Sequence, residues 1–128
     1  MGHRLPYHET CKNIHGHSYR LIVEVTGQVN EQGMVIDFGE ISNLVKPIID
    51  QLDHSFMVDP SDEMMLKVLA DSGLKATHVD FFSTAENIVE WIANQIGKGL
   101  FMHANVNSIS LSLFETKHSR AQFCMERA

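Results

Sequence analysis

From Ser18 to Thr26, apolar side chains occupy every second position, at Tyr19, Leu21, Val23 and Val25, and the positions between them are polar except for Ile22. Alternate residues of a strand point to opposite faces, so this segment predicts a strand with one face against a core. A turn at Asn30–Gly33 follows, after which Met34–Ile36 is expected to return as the antiparallel partner. Later in the chain, Val106–Phe114 and Ala121–Met125 predict two more strands.

Other segments carry apolar residues at helical spacing. From Phe38 onward, apolar side chains recur every three or four positions, at Ile41, Leu44, Val45, Ile48, Ile49 and Leu52. This spacing predicts a helix, and Asp37 is placed to cap its first turn. A shorter helix is predicted over Glu63–Ala70, with Gly73 near its end.

Another long helix is predicted from a capping box at Ser83–Glu86, in which Ser83 caps the helix and Glu86 reaches back. Apolar residues follow at helical spacing, and Gly97 and Gly99 are expected to end the helix. The order hairpin, helix, insert, helix, hairpin predicts an α+β fold in which an antiparallel sheet carries two helices on one face.

Length and charge limit the possible functions. With 128 residues, the chain is expected to form a single domain, 1–128. Its formal net charge is −6 and it has no basic run, which argues against a nucleic-acid partner. No apolar run is long enough to span a bilayer and no signal sequence is visible, so we expect no membrane partner and a cytoplasmic protein. An anionic small substrate would need only a local group of cations, and five are candidates: Arg4, Lys12, Arg20, Lys117 and Arg120.

The first seventeen residues contain four histidines and a cysteine, and the candidates for a metal site among them are His3, Cys11, His15 and His17. If a strand begins near His15, then His15 and His17 lie on one face of it and can share a metal ion. His3 would be a third ligand. Three histidines leave one tetrahedral position for a substrate oxygen, as in a catalytic zinc site.

The sequence leaves other interpretations of these residues open. Surface strands often carry two histidines without binding a metal. Cys11 could instead complete a structural zinc site together with the three histidines. A disulfide between Cys11 and Cys124, the only two cysteines, is less expected because no secretory signal is visible.

Two further places could carry chemistry. In Leu52-Asp53-His54, Asp53 could orient His54 by accepting a ring N–H, which would leave the other ring nitrogen free to take a proton. The alternative is an ordinary helix end with His54 near the negative pole of the dipole. Glu115 follows a predicted strand directly and could accept paired hydrogen bonds from an N–H-rich ring, although an exposed strand-end glutamate is commoner.

Several motifs together resemble one family, the 6-pyruvoyltetrahydropterin synthases and the bacterial 6-carboxytetrahydropterin synthases. The resemblance covers nearly the whole chain and is carried by these stretches: His3-Arg4-Leu5, Cys11-Lys12-Asn13-Ile14-His15-Gly16-His17-Ser18-Tyr19, Gly33-Met34-Val35-Ile36-Asp37-Phe38, Leu52-Asp53-His54, Ser83-Thr84-Ala85-Glu86-Asn87 and Glu115-Thr116.

The resemblance implies a carbon–oxygen lyase with zinc as its cofactor and 7,8-dihydroneopterin triphosphate as its substrate. It assigns zinc to His3, His15 and His17, and the role of proton acceptor to Cys11. The same resemblance implies that Asp53 and His54 form a relay, that Glu115 anchors the pterin ring, and that Thr84 and Glu86 also contact the substrate.

The fold implied by the resemblance is the tunnelling fold, in which the sheets of neighbouring subunits join into a barrel within a homohexamer of two trimers. Such assembly would cover sheet edges that are otherwise open. The chain departs from the family in two places. Only Met1 and Gly2 precede His3, so the first strand is expected to be truncated, and the insert from Asp59 to Asp80 is longer than in the shortest relatives.

The spacing between Cys11 and His15 indicates the product. Only three residues separate them, as in the bacterial enzymes, so the resemblance favours 6-carboxy-5,6,7,8-tetrahydropterin, made with release of triphosphate and acetaldehyde for queuosine (7-deazaguanine) biosynthesis. The run Phe82-Ser83-Thr84-Ala85-Glu86-Asn87 resembles the animal enzymes more closely, which keeps a 6-pyruvoyltetrahydropterin synthase as the alternative. A non-catalytic zinc-binding module is a second alternative.

Overall fold

The protein is described by a computed structural model that covers residues 1–128. Seven strands and three helices follow one another along the chain: β1 Gly2–His3, β2 His15–Gly16, β3 Arg20–Gly27, α1 Phe38–Leu52, β4 Phe56–Val58, α2 Glu63–Ser72, β5 Ala76–His78, α3 Ala85–Leu100, β6 Val106–Phe114 and β7 Arg120–Glu126.

The main sheet is antiparallel, with the strand order β3-β6-β7. Its register places Val23 opposite Leu111, and Leu111 opposite Phe123. These apolar residues therefore lie in rows on one face, which confirms the predicted alternation of β3 and β6. The register shifts after Thr26, where a Cβ added to Gly27 would lie 2.2 Å from the Asn105 carbonyl oxygen. Only glycine fits at this bulge.

The predicted return strand at Met34–Ile36 is wrong. This segment forms bends, and β3 pairs with β6 instead. Asparagine side chains take the local backbone groups: Asn30 Oδ1 accepts from the Met34 N–H at 3.1 Å, and Asn105 Nδ2 donates to the Val35 carbonyl at 2.8 Å. Side-chain bonds of this kind compete with a strand ladder.

The first two helices match their predictions closely. Asp37 caps α1 and accepts a hydrogen bond from the Gly39 N–H at 2.6 Å. Helix α2 ends at Gly73, whose φ of 66° lies in the left-handed region that glycine adopts without strain. α2 and β5 form most of the insert, and Val58, Met65 and Leu69 make a small core beneath it.

The predicted ends of α3 are both wrong. Thr84, not Ser83, is the cap, since its Oγ1 accepts from the Asn87 N–H at 3.3 Å. The helix also continues through Gly97 and Gly99. A Cβ on Gly99 would lie 2.6 Å from Leu44, so this glycine allows α1 to approach α3. Close packing compensates for the roughly 1 kcal/mol that a helical glycine costs.

A second, mixed sheet was not predicted. Its strand order is β2-β1-β4-β5, with β1 antiparallel to β2 and parallel to β4. Strands of two or three residues are too short to show a periodic pattern. This sheet places His3 directly opposite His15.

The main core lies between the antiparallel sheet and the two long helices, which confirms the predicted α+β arrangement. Its centre is the buried face of α3 against β6, and its fully buried members include Ile88, Ile92, Ile96, Leu100, Ile109 and Leu111. None of the three helices combines the length and the apolar character that crossing a membrane requires.

Candidate active site

The three histidines of the N-terminal motif converge on one point. Pairing of β1 with β2 brings His3 beside His15, and the His15 and His17 rings have their centroids 5.1 Å apart. The nitrogen ligand atoms of all three lie within 4.8 Å of one another. The predicted cluster of His3, His15 and His17 is therefore formed. His3 lies on β1, His15 lies on β2, and His17 directly follows β2.

Backbone carbonyls orient two of these rings. His3 Nδ1 lies 2.8 Å from the Ser83 carbonyl oxygen, and His15 Nδ1 lies 2.7 Å from the Asn13 carbonyl oxygen. A carbonyl can only accept, so each Nδ1 carries the hydrogen and each Nε2 presents its lone pair. A second hydrogen-bond partner of this kind is what orients a histidine that ligates a metal.

Burial keeps His3 uncharged. The residue is 2% exposed. The pKa of His3 is lowered to about 4, chiefly by burial and to a smaller extent by the neighbouring His15 and His17, whereas the hydrogen bond to Ser83 raises it. Metal binding requires neutral imidazole, which His3 therefore supplies at neutral pH. Neutral imidazole nitrogens suit zinc, copper, iron and nickel, so the donor set fits a first-row transition metal.

Tyr19 continues the alternation of His15 and His17 and belongs to the same site. Its hydroxyl lies 3.3 Å from His3 Nε2. Burial, and secondly the negative charge of Glu115, raise the pKa of Tyr19, so the phenol stays protonated. The predicted Glu115 is half-buried directly after β6 and close to Tyr19. Sequence reasoning assigned Tyr19 only to the apolar face of a strand, although the spacing of residues 15, 17 and 19 was visible.

The predicted pair of Asp53 and His54 is formed at the end of α1. His54 Nδ1 lies 2.9 Å from Asp53 Oδ1, and both side chains are largely exposed. A φ of 55° at His54 turns the backbone out of the helix. A cavity of about 370 Å³ joins this pair to the histidine cluster, because Asp53, His54, His17 and Tyr19 all line it.

Four predicted residues outside the histidine cluster do not line this cavity: Cys11, Thr84, Glu86 and Glu115. Cys11 is half-buried in the loop before β2, and its N–H donates to His8 Nδ1 at 3.1 Å. The structure does not bring its sulfur into the histidine cluster. Thr84 caps α3, and Glu86 is exposed in the first turn of that helix. Cys11 and Cys124 are both free thiols, so the less expected disulfide is not formed.

The candidate cations are mostly occupied by protein groups. The Arg4 guanidinium binds Asp62, and this hydrogen bond holds the pKa of the Asp62 carboxyl below its usual range. Arg20 and Arg120 stack over the Phe114 ring, with guanidinium-to-centroid distances of 4.6 and 5.9 Å. These three arginines are tied to protein groups near the site.

Comparison with known proteins leads to the same family as the resemblance in the sequence motifs. The model of the family described as 6-pyruvoyl tetrahydropterin synthase matches residues 1–126. The chain belongs to this family. Among curated relatives, it is 35% identical to the 6-carboxy-5,6,7,8-tetrahydropterin synthase of Haemophilus influenzae, over 96% of this chain and 91% of that protein. It is 37% identical to the enzyme of the same name from Rickettsia conorii, over 90% of this chain and 86% of that protein.

Solved structures of the family share the fold. The 6-pyruvoyl tetrahydropterin synthase of Plasmodium vivax superposes with a TM-score of 0.80 at 17% identity, over 98% of this chain and 90% of that one. The Plasmodium falciparum enzyme gives a TM-score of 0.78 at 20% identity, with the same coverage. These likenesses confirm the predicted fold of the single chain, and at such identities they speak to that fold alone.

Proposed function

We propose that this chain is a zinc-dependent 6-carboxy-5,6,7,8-tetrahydropterin synthase of queuosine (7-deazaguanine) biosynthesis. Its substrate would be 7,8-dihydroneopterin triphosphate, and triphosphate and acetaldehyde would leave. The observation that carries the proposal is the cavity that joins the histidine cluster to the Asp53–His54 pair. The names of the Haemophilus and Rickettsia relatives support it.

The metal would be held by His3 and His15 through their Nε2 atoms, together with a ring nitrogen of His17. When bound, zinc supplies a Lewis acid that makes the C–H bonds beside the substrate hydroxyls more acidic. The hydrogen bonds from His3 to Ser83 and from His15 to Asn13 keep two ligands in the required tautomer. Three ligands from the protein leave a position open to substrate oxygens.

Proton transfer is assigned to Cys11 and to the Asp53–His54 pair. The Cys11 thiolate would remove a carbon-bound proton of the substrate side chain. Asp53 accepts from His54 Nδ1, which leaves His54 Nε2 free to exchange a proton on the cavity side. We assign ring binding to Glu115, whose carboxylate can accept two N–H bonds from a pterin, and further substrate contacts to Thr84 and Glu86.

The chemistry balances without an external reductant. The ring gains two hydrogens while the first side-chain carbon is oxidised to a carboxyl group, with one water consumed. The remaining two carbons leave as acetaldehyde and the triphosphate leaves by elimination. A 6-pyruvoyltetrahydropterin synthase, the second candidate, would keep all three side-chain carbons on the pterin and would release triphosphate only.

We further propose a cytoplasmic homohexamer of two trimers. The support is that β3 and β7 are the edge strands of the main sheet and are eight and seven residues long, so they offer unpaired backbone groups to neighbouring subunits. Light scattering of the purified protein would give the mass of the assembly directly. A monomeric mass would refute this part of the proposal.

The decisive experiment is incubation of the zinc-loaded protein with 7,8-dihydroneopterin triphosphate, followed by mass analysis of the pterin and assays of triphosphate and acetaldehyde. Triphosphate with acetaldehyde would support the carboxy enzyme, and triphosphate alone would favour the pyruvoyl enzyme. Cys11→Ala should abolish turnover and keep the metal. Cys124→Ala is the matched control, since Cys124 lies exposed on β7, and it should leave turnover unchanged. Loss of metal in Cys11→Ala would instead favour the zinc-binding module.

A further inference from the structure

The Arg4 side chain connects the N-terminal loop to the insert that follows β4. Arg4 Nε donates to Asp62 Oδ2 at 2.7 Å, and Nη2 donates to Asp62 Oδ1 at 2.8 Å. The third guanidinium nitrogen, Nη1, donates to the Lys12 carbonyl oxygen at 3.0 Å. We name these three groups, the Arg4 and Asp62 side chains and the Lys12 carbonyl, the Arg4 clamp.

The Asp62 end of the clamp is rigidly placed. The Asp62 side chain is 3% exposed and that of Arg4 is 16% exposed. Asp62 also caps α2, where its Oδ1 accepts from the Met65 N–H at 3.3 Å. Met65 and Leu69 bury the other side of this helix against Val58. A bidentate ion pair excluded from solvent has a defined geometry, unlike an exposed pair.

The other end of the clamp holds the backbone between two groups of the candidate site. Lys12 follows Cys11, whose own carbonyl accepts from the Leu5 N–H at 2.7 Å. Lys12 precedes Asn13, whose carbonyl orients His15. A fixed Lys12 carbonyl therefore restricts the peptide units that carry the Cys11 thiol on one side and the His15 hydrogen-bond partner on the other.

We propose that Arg4 and Asp62 are positioning residues, which hold the Cys11–Asn13 segment in place for the chemistry at the histidine cluster. The insert then has a function, because it supplies the buried carboxylate to which this segment is anchored. The importance of Cys11 rests on the proposed function, whereas the mechanical role of the clamp does not.

The test is the rate at which iodoacetamide alkylates Cys11 in the zinc-loaded protein, measured by mass spectrometry of its peptide, in wild type and Asp62→Asn. Asparagine caps a helix about as well as aspartate, so the start of α2 is kept while the charge is lost. Asp71→Asn is the matched control, because Asp71 lies on the same helix in an exposed pair with Lys67. Cys124, far along the chain on β7, serves as the reference thiol within each sample.

We expect Asp62→Asn to speed alkylation of Cys11 about fivefold or more, because local opening exposes a half-buried thiol. Cys124 should be alkylated at the wild-type rate in every variant. In Asp71→Asn, Cys11 should also be alkylated at the wild-type rate. In the pterin assay, Asp62→Asn should lose about tenfold or more in kcat with little change in KM, as misplacement of a reacting group does. If Asp62 only stabilised the fold, its replacement would lower the melting temperature without this loss of kcat at nearly constant KM.

An unchanged Cys11 rate in folded Asp62→Asn would overturn the proposal. If Asp62→Asn does not fold, Arg4→Lys replaces it, since lysine keeps the charge but lacks the planar fork. Faster Cys11 alkylation in Arg4→Lys would then support the clamp, and a wild-type rate would overturn it. If the wild-type protein does not convert the pterin, the proposed function fails, and the alkylation rates still decide the clamp.

Discussion

Protonation of His3 should make the metal-free protein sensitive to acid. The pKa of His3 is about 4 in the folded chain, chiefly because of burial, against an ordinary value of 6.5. Above pH 6.5 the residue is neutral in both states. As the pH falls from 6.5 to 4, the unfolded chain takes up a proton that the folded chain refuses, so the folded state loses stability throughout this interval. Below pH 4 the loss is complete.

The size of this loss follows from the difference in pKa. A difference of about 2.5 corresponds to about 3 kcal/mol of unfolding free energy, at 1.36 kcal/mol for each pKa unit. Because His3 is almost entirely buried, solvent does little to reduce this value. A loss of about 3 kcal/mol is a large part of the stability of a small domain.

The assay is urea unfolding of protein treated with EDTA, at several pH values between 7.5 and 4, for wild type and His3→Gln. Glutamine does not titrate, while every other acid-sensitive group remains in both proteins, including the Arg4–Asp62 pair. The wild type should therefore lose up to about 3 kcal/mol more than His3→Gln across this range. Parallel curves for the two proteins would refute the argument that burial keeps His3 neutral.

Three further predictions concern the surroundings of the site. Asp53→Ala should lower kcat with little loss of bound metal, because His54 loses the acceptor that orients it; kinetics with metal analysis would detect this, and loss of metal would contradict it. Lys75→Met should lower the free energy of unfolding by about 1 kcal/mol, because the Lys75 ammonium donates to the Asp53 carbonyl at 2.6 Å; equal urea midpoints would contradict this. Gly27→Ala should cost about 1–3 kcal/mol by its clash with the Asn105 carbonyl, and an unchanged melting temperature would refute that reading of the bulge.

Much of the main sheet and its helices could be predicted from sequence because their residues repeat at a regular period. The apolar residues of β3 recur at every second position over several pleats, and those of α1 recur every three or four positions over more than two turns. Each pattern therefore predicts one buried face. The prediction of a return strand failed because the strand that pairs with β3 is β6, which lies far along the chain. Met34–Ile36 has the composition of a strand, but asparagine side chains take its backbone bonds.

Some residues of the candidate site could likewise be predicted from the sequence, and others could not. The His-Gly-His motif, Asp53-His54 and Glu115 are visible because their residue types are chemically distinctive. Tyr19 and Ser83 were missed as members of the site because a tyrosine on an apolar face and a serine before a helix have common structural explanations. The Arg4–Asp62 pair joins residues separated by 58 positions, and no local pattern reports such a contact.

By itself the sequence determined the elements with a long period, the family and the residues able to bind a metal. Local periodicity and side-chain chemistry are properties of neighbouring residues, so they can be read along the chain. Only the tertiary structure decided that His3 lies opposite His15, that Tyr19 and Ser83 contact His3, and that Asp62 binds Arg4. These contacts depend on which distant segments pair and pack, and that choice belongs to the chain as a whole.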